Sequence, residues 1–121
     1  MLNQTIIIID SDPLLLDVLA IALNREGYKV IVTTEHRSVL KLVKQHQPNM
    51  VIIEFRLRRN EAWLLCQQLS KYNNNLILLA LSSNSDIKNI YASRGFDGFV
   101  PKPFELDELF DTVNSFIGRY S

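Results

Sequence analysis

Polar side chains able to do chemistry stand at four places in this chain of 121 residues, each directly behind a short apolar run. Asp10, Ser11 and Asp12 follow "TIIII", and Glu54 ends "MVIIE". Ser82 and Ser83 follow "LILLAL", and Lys102 follows "GFVP". An acid closing an apolar strand is a common way for an α/β protein to present a reactive carboxylate. Acids, hydroxyls and one ammonium brought to a single edge would make a site that holds and neutralises charge. Other reactive side chains lack suitable company. Ser82 and Ser83 have no histidine at a triad-like station, which argues against a hydrolase. His36 and His46, in and after the second helix, have no cysteine or acid at metal-ligand spacing and read as surface residues. Cys66 falls on an apolar helical face and reads as a core thiol.

The elements that must position these residues follow from periodicity. "TIIIID" is apolar without alternation, as suits a central strand covered on both faces. Asp12 before Pro13 reads as a helix N-cap with proline at the first helical position. Leu15, Val18, Leu19, Ala22 and Leu23 follow at helical spacing, and Gly27 stops the helix. "YKVIVTT" is a second strand, and Val39, Leu42 and Val43 mark a helix ending before Pro48. "MVIIEF" is the third strand. Its helix carries Ala62, Leu65, Cys66 and Leu69 on one face, with Trp63 at its start near the rim of the site. "LILLALS", a short helix in "IKNIYASRG", and "GFVPKP" come next. Leu106, Leu109, Phe110, Val113 and Ile117 form the buried stripe of the last helix. Five such βα units predict an open parallel sheet with helices on both faces and right-handed crossovers. Ligands of such sheets sit beyond the carboxyl ends of the strands, where strand order reverses. Those ends carry Asp10–Asp12, Glu54, Ser82–Ser83 and Lys102.

Composition bounds the function classes. The length suits a single domain over residues 1–121, with no output domain expected after Ser121. Thirteen basic side chains balance thirteen acidic ones, so no global field favours nucleic acid or an anionic membrane. The apolar runs fall far short of the roughly 20 residues that span a bilayer. "MLNQT" has no basic segment of a signal peptide. One cysteine allows no internal disulfide, so a reducing cytoplasm is expected.

The residues also resemble a known family, the receiver domains of bacterial two-component response regulators. "IIIIDSDPLLLDVL" resembles its first strand, acidic pair and first helix. "PNMVIIEFRLRRNEAW" resembles its third strand, where an aspartate is phosphorylated. "GFDGFVPKPFELDELFDTV" resembles the segment Gly-x-x-x-aromatic-x-x-Lys-Pro-Phe and the last helix. The resemblance covers essentially the whole chain. It implies a flavodoxin-like fold with strand order 2-1-3-4-5, and a cis peptide bond at Lys102–Pro103.

Carried over by position, the resemblance also implies departures. Working receivers bind Mg²⁺ with two adjacent acids and the phosphorylated aspartate, and hold phosphoryl oxygens with a Ser or Thr hydroxyl and a lysine. Asp10 matches the first acid, Ser11 replaces the second, and Asp12 matches the acid that often follows. Glu54 stands at the phosphoacceptor position. Lys102 matches the lysine and Phe99 the aromatic switch. Ser82 matches the hydroxyl if strand four is aligned without gaps from Glu54, and Ala80 does if the count runs back from Lys102; Ser82 is preferred.

Neutral Ser11 removes a charge from the metal's surroundings, leaving at most weak Mg²⁺ binding at Asp10 and Asp12. Glu54 is one methylene longer than aspartate, so its carboxylate is expected to crowd the metal position or to reach Lys102. Reaching Lys102, it would imitate an aspartyl phosphate with one charge instead of roughly two, or form a plain structural salt bridge. Phe99, without a hydroxyl, is expected to turn inward. Arg58 and Arg59 replace the usual Pro-Gly of the loop. They are candidates to pair with Glu54, Glu61 or Asp12, to meet an acidic partner, or to stand as a solvated face.

The expectation is a non-enzymatic signalling module in a two-component phosphorelay, acting by protein–protein interaction without phosphorylation. The resemblance implies a contact face on the fourth helix, fifth strand and fifth helix. It implies as partners signalling proteins such as a histidine kinase or phosphotransfer protein, and leaves room for a homodimer. The alternatives are a competent phosphoacceptor and a flavodoxin-like cofactor binder. The latter is disfavoured because no Ser/Thr/Gly-rich phosphate loop follows strand one.

Overall fold

The computed structural model describes residues 4–56 and 61–117. Strands β1 (Thr5–Ile9), β2 (Lys29–Thr33), β3 (Met50–Glu54), β4 (Ile77–Ser82) and β5 (Gly98–Pro101) alternate with five helices. These are α1 (Pro13–Arg25), α2 (Val39–His46), α3 (Glu61–Tyr72), α4 (Ile87–Ile90) and α5 (Leu106–Ile117). Short 3₁₀ turns at His36–Ser38 and Ala92–Arg94 precede α2 and follow α4. All strands are parallel and ordered β2-β1-β3-β4-β5, as the family resemblance implies.

Strand pleat sorts the core into two layers. Ile6, Ile8, Met50, Ile52, Leu79 and Leu81 pack with Leu19, Leu23, Leu109 and Val113, under α1 and α5. Ile7, Ile9, Val51, Ile53, Leu78 and Ala80 pack with Val43, Leu65 and Leu69, under α2 and α3. The unbroken apolar runs are therefore explained by burial on both faces.

Local signals at α1 hold. Asp12 Oδ1 accepts from the N–H of Leu14 at 3.0 Å and of Leu15 at 3.4 Å, and Pro13 opens the helix. Gly27 follows its end at φ +94°, where a side chain would be strained. One expectation fails: Val18 is 52 % exposed, and Leu16 is buried in its place. Both fit helical spacing, and only the packing of α1 onto β1 and α5 decides between them. Leu106, expected in the α5 stripe, is 43 % exposed, whereas Asn114 is buried and receives the Tyr28 hydroxyl. The stripe is apolar enough that a hydrogen-bonded amide inside it leaves no periodic signal.

Candidate functional site

Strand order reverses between β1 and β3, and the two residues flanking that point are Asp10 and Glu54. Asp10 directly follows β1 and continues the parity of Ile6 and Ile8, while Glu54 shares that of Met50 and Ile52. Both acids therefore lean to the α1 side of the sheet edge. Ser82 shares the parity of Leu78 and Ala80, on the other side.

Glu54 meets Ser11. The backbone N–H of Ser11 donates to Glu54 Oε2 at 2.8 Å, and its hydroxyl donates to Oε1 at 3.0 Å. Lys102 meets Asp10: Nζ donates to Oδ2 at 2.8 Å. The Asp10 side chain is only 1 % exposed, and its Oδ1 accepts from the N–H of Asp12 at 2.8 Å. Of the two placements expected for Glu54, the one that reaches Lys102 is not formed. The Glu54 carboxylate instead lies over the β1–α1 loop, where Ser11 offers two donors. The lysine is left to Asp10, a buried charge that requires a partner. Asp12 is committed as the cap of α1.

Ser82 lies at the carboxyl end of β4, paired in register with Pro101, whereas Ala80 sits within the strand opposite Phe99 and Ile53. Its buried hydroxyl accepts from the N–H of Asn84 at 2.9 Å, and its carbonyl accepts from the Lys102 N–H at 2.7 Å. Ser83 is exposed. The Lys102–Pro103 bond is cis. Phe99 is half-buried, its ring 5.2 Å from that of Tyr91. It leans on the layer under α2 and α3 without being enclosed by it.

The remaining candidates lie elsewhere. His36 opens the 3₁₀ turn before α2, and its Nε2 is 3.4 Å from Glu61 Oε1, a partner not evident in sequence. His46 is the last residue of α2 rather than beyond it. Cys66 is buried, and its thiol is pushed up to about 12, chiefly by burial and then by the negative charge of Asp97. Gly95, at φ +93°, crosses so close to it that a Cβ there would lie 3.1 Å from Cys66 Cβ. Trp63 is 41 % exposed at the start of α3. Arg58 and Arg59 lie outside the described residues, so their pairing is not part of this geometry. The Ser11–Glu54 pairing was the feature missed in sequence. Its signal was there, in a donor serine and a lengthened acid at two positions that face each other.

Comparison with known proteins gives a consistent picture. Residues 6–114 match the family model for the response regulator receiver domain. The chain is 29% identical over 119 residues to the heme response regulator HssR of Staphylococcus saprophyticus, covering 97% of this chain and 53% of that protein. It spans about half the length of the curated relatives it matches. In fold it resembles a response regulator from Chloroflexus aurantiacus, with a TM-score of 0.85, 24% identity, and coverage of 98% of this chain and 100% of that one. It also resembles the receiver domain of the sensor histidine kinase PA1611 of Pseudomonas aeruginosa, solved with magnesium in its active-site cleft. There the TM-score is 0.83 at 18% identity, covering 97% of this chain and 99% of that one. With a family model spanning nearly all of its described core, this chain belongs to the response regulator receiver domain family.

Proposed function

We propose that this receiver acts in two-component signalling by binding other proteins, without passing through a phosphorylated state. The observation that carries the reading is the double hydrogen bond from Ser11 to Glu54. At the phosphoacceptor position stands a carboxylate whose two oxygens are both turned to donors of the neighbouring loop. In-line attack on a phosphodonor is sensitive to placement, with about 1 Å of error costing about 10²-fold.

Mg²⁺, which the PA1611 receiver holds, does not fit the residues present here. The ion takes near-octahedral oxygen ligands, usually including one or two carboxylates. All four carboxylate oxygens of Asp10 and Glu54 already accept hydrogen bonds, and an ammonium rests on Asp10. The neighbour that could add a third charge is the neutral Ser11.

Glu54 is better read as a structural acid than as a stand-in for aspartyl phosphate, because it contacts neither Lys102 nor Ser82. The partner face in this reading comprises α4, β5 and α5, where Tyr91 covers Phe99. Its partners are other signalling proteins, a histidine kinase or phosphotransfer protein among them.

Incubation with acetyl phosphate followed by intact-mass measurement tests this reading. No added phosphate is expected. A base- and hydroxylamine-labile phosphate on Glu54 or Asp10 would overturn it and restore the competent-acceptor alternative.

A further inference from the structure

A groove runs between the outer sides of α2 and α3, formed by two hollows that meet at Leu40 and Gln68. Leu40, Leu64 and Leu65 give it an apolar floor, and Leu64 is 51 % exposed. Arg37, in the turn before α2, and Lys44 stand on one wall, and Lys71 on the other, all exposed.

Each end of the groove is tied across. At one end His36 Nε2 lies 3.4 Å from Glu61 Oε1. At the other, the Gln47 amide donates to the Tyr72 hydroxyl at 2.7 Å and to the Lys44 carbonyl at 3.0 Å. Lys44 Nζ rests 5.6 Å from the centre of the Tyr72 ring. Gln47 reaches both acceptors from a left-handed backbone at φ +49°, uncommon for a residue other than glycine. A groove whose walls are already held loses little freedom when it is filled.

The charges select the occupant. The chain balances acids and bases overall, but not here. No Asp or Glu occurs in residues 36–53 or 62–85, so α2 contributes none and α3 only Glu61. Glu61 faces His36, whereas among the described residues Arg37, Lys44 and Lys71 take part in no intrachain salt bridge. Cations around an exposed apolar floor call for an occupant that is both anionic and apolar. A nucleic-acid backbone would answer the cations but set phosphates over Leu64. A helix with an apolar stripe flanked by acids answers both.

We propose that the α2–α3 groove binds an acidic amphipathic helix of a partner protein, its apolar stripe on Leu40 and Leu64 and its acids against Arg37, Lys44 and Lys71. The surface is separate from the α4, β5 and α5 face, and its use does not depend on whether Asp10 or Glu54 accepts phosphate.

The probe is a synthetic peptide of about 14 residues, roughly four helical turns, with Leu at i, i+3, i+4 and i+7 and Glu elsewhere. Titrating it into the intact isotope-labelled protein and following amide shifts reads affinity and location together. Saturable binding with a Kd below about 1 mM is expected, with the shifts centred on Leu40, Lys44, Leu64 and Gln68. Lys44→Glu and Lys71→Glu should each weaken it at least about 10-fold, by setting like charges against the peptide. Leu64→Ser should weaken it comparably while leaving its salt dependence unchanged. The same peptide with Lys in place of every Glu should not bind. Circular dichroism verifies that each variant is folded. If Lys44→Glu, which also loses the Tyr72 ring, melts early, the exposed Lys71 carries the charge test. Failure to saturate, shifts confined to another face, or an affinity indifferent to all three substitutions overturns the proposal. So does a duplex oligonucleotide that fills the groove more tightly than the peptide, which would assign the surface to nucleic acid.

Discussion

Ser11 gives both of its donors to Glu54, the N–H to Oε2 at 2.8 Å and the hydroxyl to Oε1 at 3.0 Å. The acid that ends β3 and the serine that follows β1 are therefore complementary. A lengthened acid needs a donor in the β1–α1 loop, and a second acid at position 11 would repel it. Hydrogen bonds to a charged group contribute about 1.5–3 kcal/mol when desolvated, and this pair is exposed on the Ser11 side. Glu54→Ala should cost about 1–2 kcal/mol, and Ser11→Ala less, since the backbone N–H remains. Ser11→Asp should cost more than Ser11→Ala. Urea unfolding of the single and double variants gives the coupling energy, and additive costs would show that the pair is not coupled.

Mg²⁺ should not saturate the site in the low-millimolar range. Titration followed by Trp63 fluorescence and by amide shifts at Asp10, Asp12 and Glu54 measures this. If the proposed function is right, placing aspartate at both Ser11 and Glu54 should produce metal binding and phosphate acceptance together. Neither single change should suffice: Ser11→Asp keeps the long acid over the β1–α1 loop, and Glu54→Asp leaves the charge one short. Saturation of the unaltered protein at sub-millimolar metal would contradict this account.

Lys102 neutralises an Asp10 side chain that is 1 % exposed. Removing one member of a fully buried pair typically costs about 3–5 kcal/mol because the other charge is stranded, and water at the 25 % exposed Lys102 side chain reduces that cost here. Lys102→Met should be destabilising by less than that, about 1–3 kcal/mol, and adding Asp10→Asn should recover a large part of the loss. Equal stability of Lys102→Met and the unaltered protein would mean that water, not lysine, balances Asp10.

The buried Cys66 thiol is pushed up to about 12, mainly by desolvation. The folded chain keeps this proton at a pH where the unfolded chain, near the ordinary value of 9.0, releases it. Its contribution is therefore fully present below about pH 9 and is lost as pH rises toward 12. Cys66→Ala should flatten that alkaline decline while lowering stability at neutral pH through the small cavity left behind. At pH 8 the native thiol should resist a disulfide reagent that reacts at once in denaturant. Rapid reaction of the native protein would show that the α3 face opens.

Periodicity and turn chemistry along the chain were enough for the five βα units, the Asp12 cap, the Gly27 stop and the burial of Ala62, Leu65, Cys66 and Leu69. These are short-range properties, governed by each residue's own backbone preference and by periods of 2 and 3.6. The strand-end rule likewise anticipated that Asp10, Glu54, Ser82 and Lys102 come to one edge of the sheet. Which polar group meets which was settled only by the tertiary structure. Pleat parity and strand order set Glu54 beside Ser11 and leave Lys102 to Asp10, although a sequence comparison pairs the lysine with either acid equally well. The choice of Leu16 over Val18 is of the same kind. A helix pattern says that one face is apolar, but the neighbours of α1 decide which of two adjoining apolar rows is covered and which is left outside.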